Sequence, residues 1–193
     1  MVDECIQVYT FSSPGPENTG KTIRASVERA RKLGIRYIVV ASVSGKTAME
    51  TKVLPDELEY NGQLVVVTHH TGWAEVGKNQ MEEETRSRLT EAGCQVVTST
   101  HALSSIARSY RTTFGGIDLL EVVAEAFRRL SQGVKAAIES AIMAADAGAV
   151  PVDEDIIAID GTGKGADSAI VVRAANQNRF LDMKVREIIA MPR

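Results

Sequence analysis

Residues 15–22, GPENTGKT, satisfy the spacing G-x-x-x-x-G-K-[ST] between an apolar run (CIQVYTF) and a helix-forming one (IRASVERARKLG). In phosphate-loop chemistry successive backbone N–H groups wrap a β-phosphate, the lysine neutralises it, and the hydroxyl holds a divalent cation. Pro16 has no N–H to give, and Glu17 would bring a carboxylate toward the phosphate. Ser12, Ser13 and Pro14 lengthen a connection that normally turns at once. A nucleoside triphosphatase working through Gly15–Thr22, with Asp160 ending a Walker B-like run IIAID, is therefore the lesser reading. In the plainer one, Asn18 or Thr19 caps a helix and Lys21 is a solvated first-turn side chain.

ASVSGKT (41–47) is the better anion site. An apolar run leads through Ser42, Val43 and Ser44 to Gly45, where the backbone can be approached closely, and a helix starts at Lys46 and Thr47. A helix N-terminus offers free N–H groups and a positive dipole end; Ser44 and Thr47 add hydroxyls and Lys46 a charge, the parts a phosphate monoester needs. The same Ser-x-x-Thr spacing also fits a simple cap. A second glycine-rich segment, Gly161-Thr162-Gly163-Lys164-Gly165, precedes Asp167 and again presents a lysine. The three histidines fall in loops too: His69 and His70 follow Thr68, and His101 follows TST. Adjacent histidines on an extended strand point to opposite sides, so no metal site is expected. A ligand or acid-base role for one histidine stands beside plain structural hydrogen bonding. No Ser-His-Asp order or paired-carboxylate spacing marks a catalytic residue.

These loops need a scaffold that gathers them. Apolar, β-branched runs at 5–11, 37–42, 64–70 and 94–100 alternate with helical stretches closed by Gly34, Pro55 and Gly93, the pattern of a mostly parallel sheet covered on both faces. HALSSIARSYRTTF reads as a helix, and Asp118 caps a long helical region to about Ala147. Its apolar residues, from Val122 to Ile142 at helical spacing, fit core packing or a subunit interface. Runs at 156–160, 168–175 and 184–191 are strands, and GTGKGAD is too short for a parallel crossover, so the end of the sheet should be antiparallel. At 193 residues a single domain, 1–193, is expected.

Composition narrows the function. Charged residues are 24% of the chain with a net charge of -3 and no basic stripe, which argues against nucleic acid or a membrane surface as partner. No run approaches the roughly 18 apolar residues of a membrane span, and the N-terminus has no basic segment before a long apolar stretch. A cytoplasmic protein is expected. Cys5 and Cys94, without C-x-x-C partners, read as buried reduced thiols.

YIVVASVSGKTA together with IIAIDGTGKGADSAIVVRA resembles the C-terminal α/β domain of pyruvate kinase. In that family a Ser/Thr-rich, Gly-basic-Ser/Thr loop binds the 6-phosphate of fructose bisphosphate and a Gly-rich hairpin closes over it. Ser42–Thr47 match the first loop and Gly161–Ser168 the second. FSSPGPENT, VTHHTGW, THALSS, FGG, IMAADAG and VPVDEDIIAI extend the likeness, over nearly all of the chain, to stand-alone archaeal and bacterial relatives of that domain. The resemblance implies an α/β fold, a three-layer α/β/α sandwich with sheet order 3-2-1-4-5 and an antiparallel last strand or strands. Counting CIQVYTF as strand 1, the connections diverge beside PGPENTGKT and THALSS. It also implies flavin mononucleotide at the carboxyl edge, with the phosphate on Ser44–Thr47 (Ser42 and Val43 adjoining). Further contacts come from Glu17, Asn18 and Thr19, from Thr68, His69, His70 and His101, and from Gly161, Thr162, Gly163, Lys164, Gly165 and Asp167. Fructose bisphosphate-like sensing is the alternative. Pyruvate kinase activity is not expected, since that chemistry belongs to a (β/α)₈ barrel for which this domain leaves no room. Whether the chain is an enzyme stays open, as does a homo-oligomer.

Overall fold

A computed structural model describes residues 5–57 and 60–193. Apolar residues at alternating positions build the strands: in β2 (Tyr37–Ala41) Ile38 and Val40 pack on one face and Val39 on the other. The remaining strands are β1 (Tyr9–Phe11), β3 (Gln63–Thr68), β4 (Gln95–Thr98), β5 (Asp155–Asp160), β6 (Ser168–Arg173) and β7 (Lys184–Pro192). They form one 7-stranded sheet of order β1-β7-β6-β5-β2-β3-β4, in which β6 alone runs against its neighbours. The expected hairpin over 161–167 joins β5 to β6.

Helices cover both faces. On one lie α1 (Thr19–Leu33), α2 (Lys46–Glu57) and α3 (Glu83–Glu91), burying Ile23, Val27, Ala48 and Leu89 against β2 and β5. On the other lie α5 (Leu119–Arg128) and α6 (Gln132–Asp146), with Val134, Ile138 and Ile142 against β5 and β6. Each fully enclosed aliphatic side chain contributes roughly 1.5–3 kcal/mol. α4 (Ser105–Phe114) packs extensively against no other element.

The three-layer α/β/α class is as expected, and the order 3-2-1-4-5 holds when counted from β2: β4-β3-β2-β5-β6. The N-terminal strand is not strand 1 of that count. It is three residues long with Tyr9 and Thr10 exposed, too little buried surface for a central place, and it sits at the far edge beside β7. The connections therefore diverge between β2 and β5, not beside PGPENTGKT. The antiparallel strand is the penultimate one; β7, reversed twice, rejoins the parallel set. Other departures are local. The long helical region breaks at 129–131, where Ser131 Oγ accepts from Val134 N and starts α6 afresh. α2 continues past Pro55, and Cys5 is exposed while Cys94 is buried. No described helix is long and apolar enough to cross a membrane.

Asp167 ties the loops of one sheet edge together. Fully buried, its carboxylate accepts from Gly15 N at 3.2 Å, Thr162 N at 3.1 Å and Ser168 Oγ at 2.9 Å. Replacing it by alanine takes the acceptor from the Gly15 and Thr162 N–H groups, at about 1–3 kcal/mol for each left unsatisfied, while Ser168 Oγ keeps Ser131 Oγ at 3.0 Å. Asp167→Ala should lower unfolding stability by about 3 kcal/mol or more in chemical denaturation; a loss below about 1 kcal/mol would contradict the assignment.

Candidate functional site

The carboxyl ends of β2 and β5 open into a cleft of about 1040 Å³. One wall is the β2–α2 turn. Ser42 Oγ accepts from Ala48 N at 3.2 Å, closing the inner side of the helix start. Among the described residues the N–H groups of Lys46 and Thr47 meet no acceptor, so the first turn of α2 remains an open donor site. Gly45, at φ 81°, packs so tightly on α3 that a Cβ would lie 2.3 Å from Thr85 Cγ2. A side chain here would shift the turn. Ser44, Lys46 and Thr47 line the cleft beside it.

Facing it is the β5–β6 hairpin, whose Gly161, Gly163, Lys164 and Gly165 line the same space. Gly165 rests on the start of α1: a Cβ there would meet Thr19 Oγ1 at 2.5 Å and Pro16 Cα at 2.6 Å. Thr19 Oγ1 accepts from Ala166 N at 3.0 Å, and Asn18 Nδ2 donates to Ser13 O at 2.9 Å. Residues 15–19 thus brace the hairpin, and Thr19 also reaches the cleft. They form no phosphate cradle. The Gly15 N–H is taken by Asp167, Lys21 is exposed and does not line the cleft, and Thr22 is fully buried with an unpartnered hydroxyl.

The third wall is aromatic. His69, His70 and His101 surround Trp73, whose ring lies 4.7, 5.4 and 4.5 Å from theirs, and the Arg108 guanidinium covers the indole at 4.4 Å. His69 Nδ1 pairs with Gln80 Oε1 at 2.7 Å, while Nδ1 of the buried His101 has no partner. No group of three or more His, Cys, Asp or Glu among the described residues could hold a metal ion.

Of the residues singled out in the sequence, Thr19, Ser42, Val43, Ser44, Lys46, Thr47, Thr68, His69, His101, Gly161, Gly163, Lys164 and Gly165 line this one cleft. Glu17, Asn18, Gly45, His70, Thr162 and Asp167 do not line it; Glu17 is exposed, and the other five brace its walls from behind. The floor was missed apart from Asp160, which was read only as the end of a Walker B-like run. The floor is built by Lys135, Glu139 and Ser140 of α6 and by Asp160 at the end of β5. Lys135 and Glu139 form a buried i,i+4 ion pair at 2.5 Å, and Glu139 also accepts from Leu103 N at 2.7 Å, tying the His101 loop to α6. Two charged residues one turn apart inside an otherwise apolar helix were the available signal. Trp73, Arg108, Arg111 and Arg128 were missed as well.

Burial pushes the Asp160 carboxyl up to about 7, helped by the Glu139 charge and opposed by hydrogen bonds from Gly161 N at 2.8 Å and Ser140 Oγ at 2.9 Å. Burial pulls the His101 imidazole down to about 4, with Glu139 acting the other way and His69 and His70 reinforcing the drop. Asp160 keeps a proton in the folded state that the unfolded chain has lost above its ordinary 3.8, so it reduces stability as pH rises toward about 7. His101 is neutral when folded and charged when unfolded between about 4 and 6.5, so its contribution rises with pH there. The two slopes oppose each other. Relative to the parent, Asp160→Asn should gain stability with rising pH across this window and His101→Gln should lose it, in denaturation measured at stepped pH. Three parallel profiles would contradict both assignments.

The family-model comparison accords with this architecture. Residues 20–172 match the family model for the pyruvate kinase α/β domain. The pyruvate kinase of Cryptosporidium parvum, solved in complex with ADP, is similar at 15% identity with a TM-score of 0.35; the match covers 92% of this chain and 25% of that one. The chain thus spans about a quarter of that enzyme's length. With the family model matching well over half of its residues, the chain belongs to the pyruvate kinase α/β domain family.

Proposed function

We propose that the β2/β5 cleft binds a phosphorylated small molecule, and that flavin mononucleotide is the ligand whose shape and chemistry fit it best. The observation that carries this reading is the pairing, in one space of about 1040 Å³, of an open helix start with an aromatic wall. Lys46, Lys164 and Arg108 line that space and make no ion pair among the described residues, so their charge is available to an anion. Small-molecule pockets span roughly 300–1,000 Å³, so a ligand of this size is accommodated.

The dianionic phosphate sits on Ser44, Gly45, Lys46 and Thr47, where the donors of the α2 start and the Lys46 ammonium converge. The polar chain follows the glycine-rich hairpin, and the flat ring lies against Trp73 and His101. The flavin would supply electron-transfer chemistry; the chain's own residues bind and orient it. No catalytic residue is assigned, and phosphoryl transfer to or from pyruvate is not part of this reading. Two unbridged cysteines support a cytoplasmic setting. The extra cations Lys164 and Arg108 favour one alternative, a sugar bisphosphate sensed at the same place.

Protein purified from cells should carry visible flavin absorbance or take up added FMN. At a concentration about 100 times the dissociation constant, the bound ligand should add about 2.7 kcal/mol of stability. Lys46→Ala should weaken binding about tenfold or more, equivalent to about 1.4 kcal/mol, whereas Lys21→Ala should leave it unchanged. A colourless protein stabilised by fructose bisphosphate and indifferent to FMN would replace the flavin reading by the sugar-phosphate one. Nucleotide hydrolysis abolished by Lys21→Ala would overturn both.

A further inference from the structure

α4 is amphipathic the wrong way round. At 100° per residue, Ile106, Tyr110 and Phe114 fall within about 80° of one another on a single stripe. That stripe faces solvent, while Arg108, Arg111 and Thr112, on the opposite side, line the cleft. The apolar surface continues into the turn and α5 through Ile117, Leu119 and Val122. These six large side chains are between 54% and 81% exposed. A surface helix normally does the reverse, and contiguous apolar patches beyond a few hundred Å² mark interaction sites.

We propose that the outer face of α4 and α5 is a self-association surface on which a second copy of this chain packs through a two-fold axis. Area is the first argument. Six such side chains present on the order of 800 Å², the amount each partner contributes to a standard protein interface. The second is the absence of any charge that would choose a different partner. A helix that lies on a membrane needs lysines and arginines free for lipid headgroups. Here Arg108 lines the cleft on the side away from the stripe, and among the described residues Arg111 pairs with Asp118 and Glu121, Arg128 with Glu121 and Glu125, and Arg129 with Glu125. What remains facing outward on α4 is an uncharged stripe of Ile106, Tyr110 and Phe114 edged by Ser109 and Thr113, which a copy of itself complements in an isologous contact.

Tyr110 lies at the middle of the stripe. Antiparallel packing of α4 on its counterpart sets Tyr110 beside the axis and Ile106 against the partner's Phe114. α4 has little packing within its own chain, so the second copy also holds the cleft wall that carries Arg108 and Arg111. This inference is independent of which ligand the cleft takes.

Sedimentation equilibrium of the full chain over micromolar concentrations tests it. The parent should be a dimer, and Tyr110→Glu a monomer with an unchanged far-ultraviolet circular dichroism spectrum. Should Tyr110→Glu fail to fold, oxidation still decides the matter: Tyr110→Cys in a Cys5→Ser background should crosslink quantitatively, and the exposed Val76→Cys in the same background should not. A parent that stays monomeric, a dimer indifferent to Tyr110→Glu, equal crosslinking of the two cysteine variants, or a monomer that instead binds anionic vesicles would each overturn it.

Discussion

β2 and β5 pair in parallel, with Ile38 opposite Ile157, Val39 opposite Ala158 and Val40 opposite Ile159, although more than a hundred residues separate them in the chain. The cleft follows from that pairing. α2 leaves the end of β2 toward one face of the sheet, while α6 arrives at β5 from the other, so nothing crosses between the two strand ends. The gap is lined from opposite sides by a helix N-terminus and a glycine-rich hairpin. The hairpin depends on β6 reversing direction, and Asp167 fixes it to the segment before α1 through a bond from Gly15 N that reaches across 152 residues of sequence.

Polar groups at the bottom of a cleft are costly unless each is answered. Lys135 and Glu139 neutralise each other, and Glu139 spends its other oxygen on Leu103 N, so one buried carboxylate joins α6 to the loop that carries His101. Removing one member of such a pair typically costs about 3–5 kcal/mol, because the other is left charged and dry. Asp160 resolves the same difficulty by holding its proton to about 7. The floor is therefore polar yet close to neutral, and the unpaired positive charge lies on the walls, at Lys46, Lys164 and Arg108. That division suits a ligand with one strongly anionic end and an otherwise uncharged body.

Local pattern made most of this legible. Near-continuous apolar, β-branched runs located β2 to β7, and the brevity of GTGKGAD required the antiparallel hairpin. The Ser42–Thr47 turn was singled out by its composition, a glycine followed by Lys and Thr at a helix start, and it does line the cleft. What could not be read depended on partners distant in sequence. β1 carries no mark of belonging beside β7, and the crevice was therefore placed between β1 and β4, which are the two edges of the sheet, instead of between β2 and β5. Lys135 and Glu139 were absorbed into a helix whose periodicity spoke for core packing, and Trp73 becomes part of an aromatic wall when His101 and Arg108 come to it from other segments. The break at Ser131 was masked by apolar spacing that carries through Leu130 in step with the helix on either side. The Walker-like spacing was rightly set aside: Gly15, Asn18 and Thr19 hold neighbouring loops, and Lys21 is exposed.

The central claim is that a phosphate seat at Ser44–Thr47 and an aromatic wall at Trp73 act on one ligand. Titrating the protein with FMN and, separately, with riboflavin, which has the same ring without the phosphate, tests it through quenching of flavin fluorescence. Both should bind, FMN more tightly by about 100-fold, the equivalent of about 2.8 kcal/mol for a helix-start phosphate contact backed by a lysine. Equal affinity for the two, or binding of neither, would contradict it.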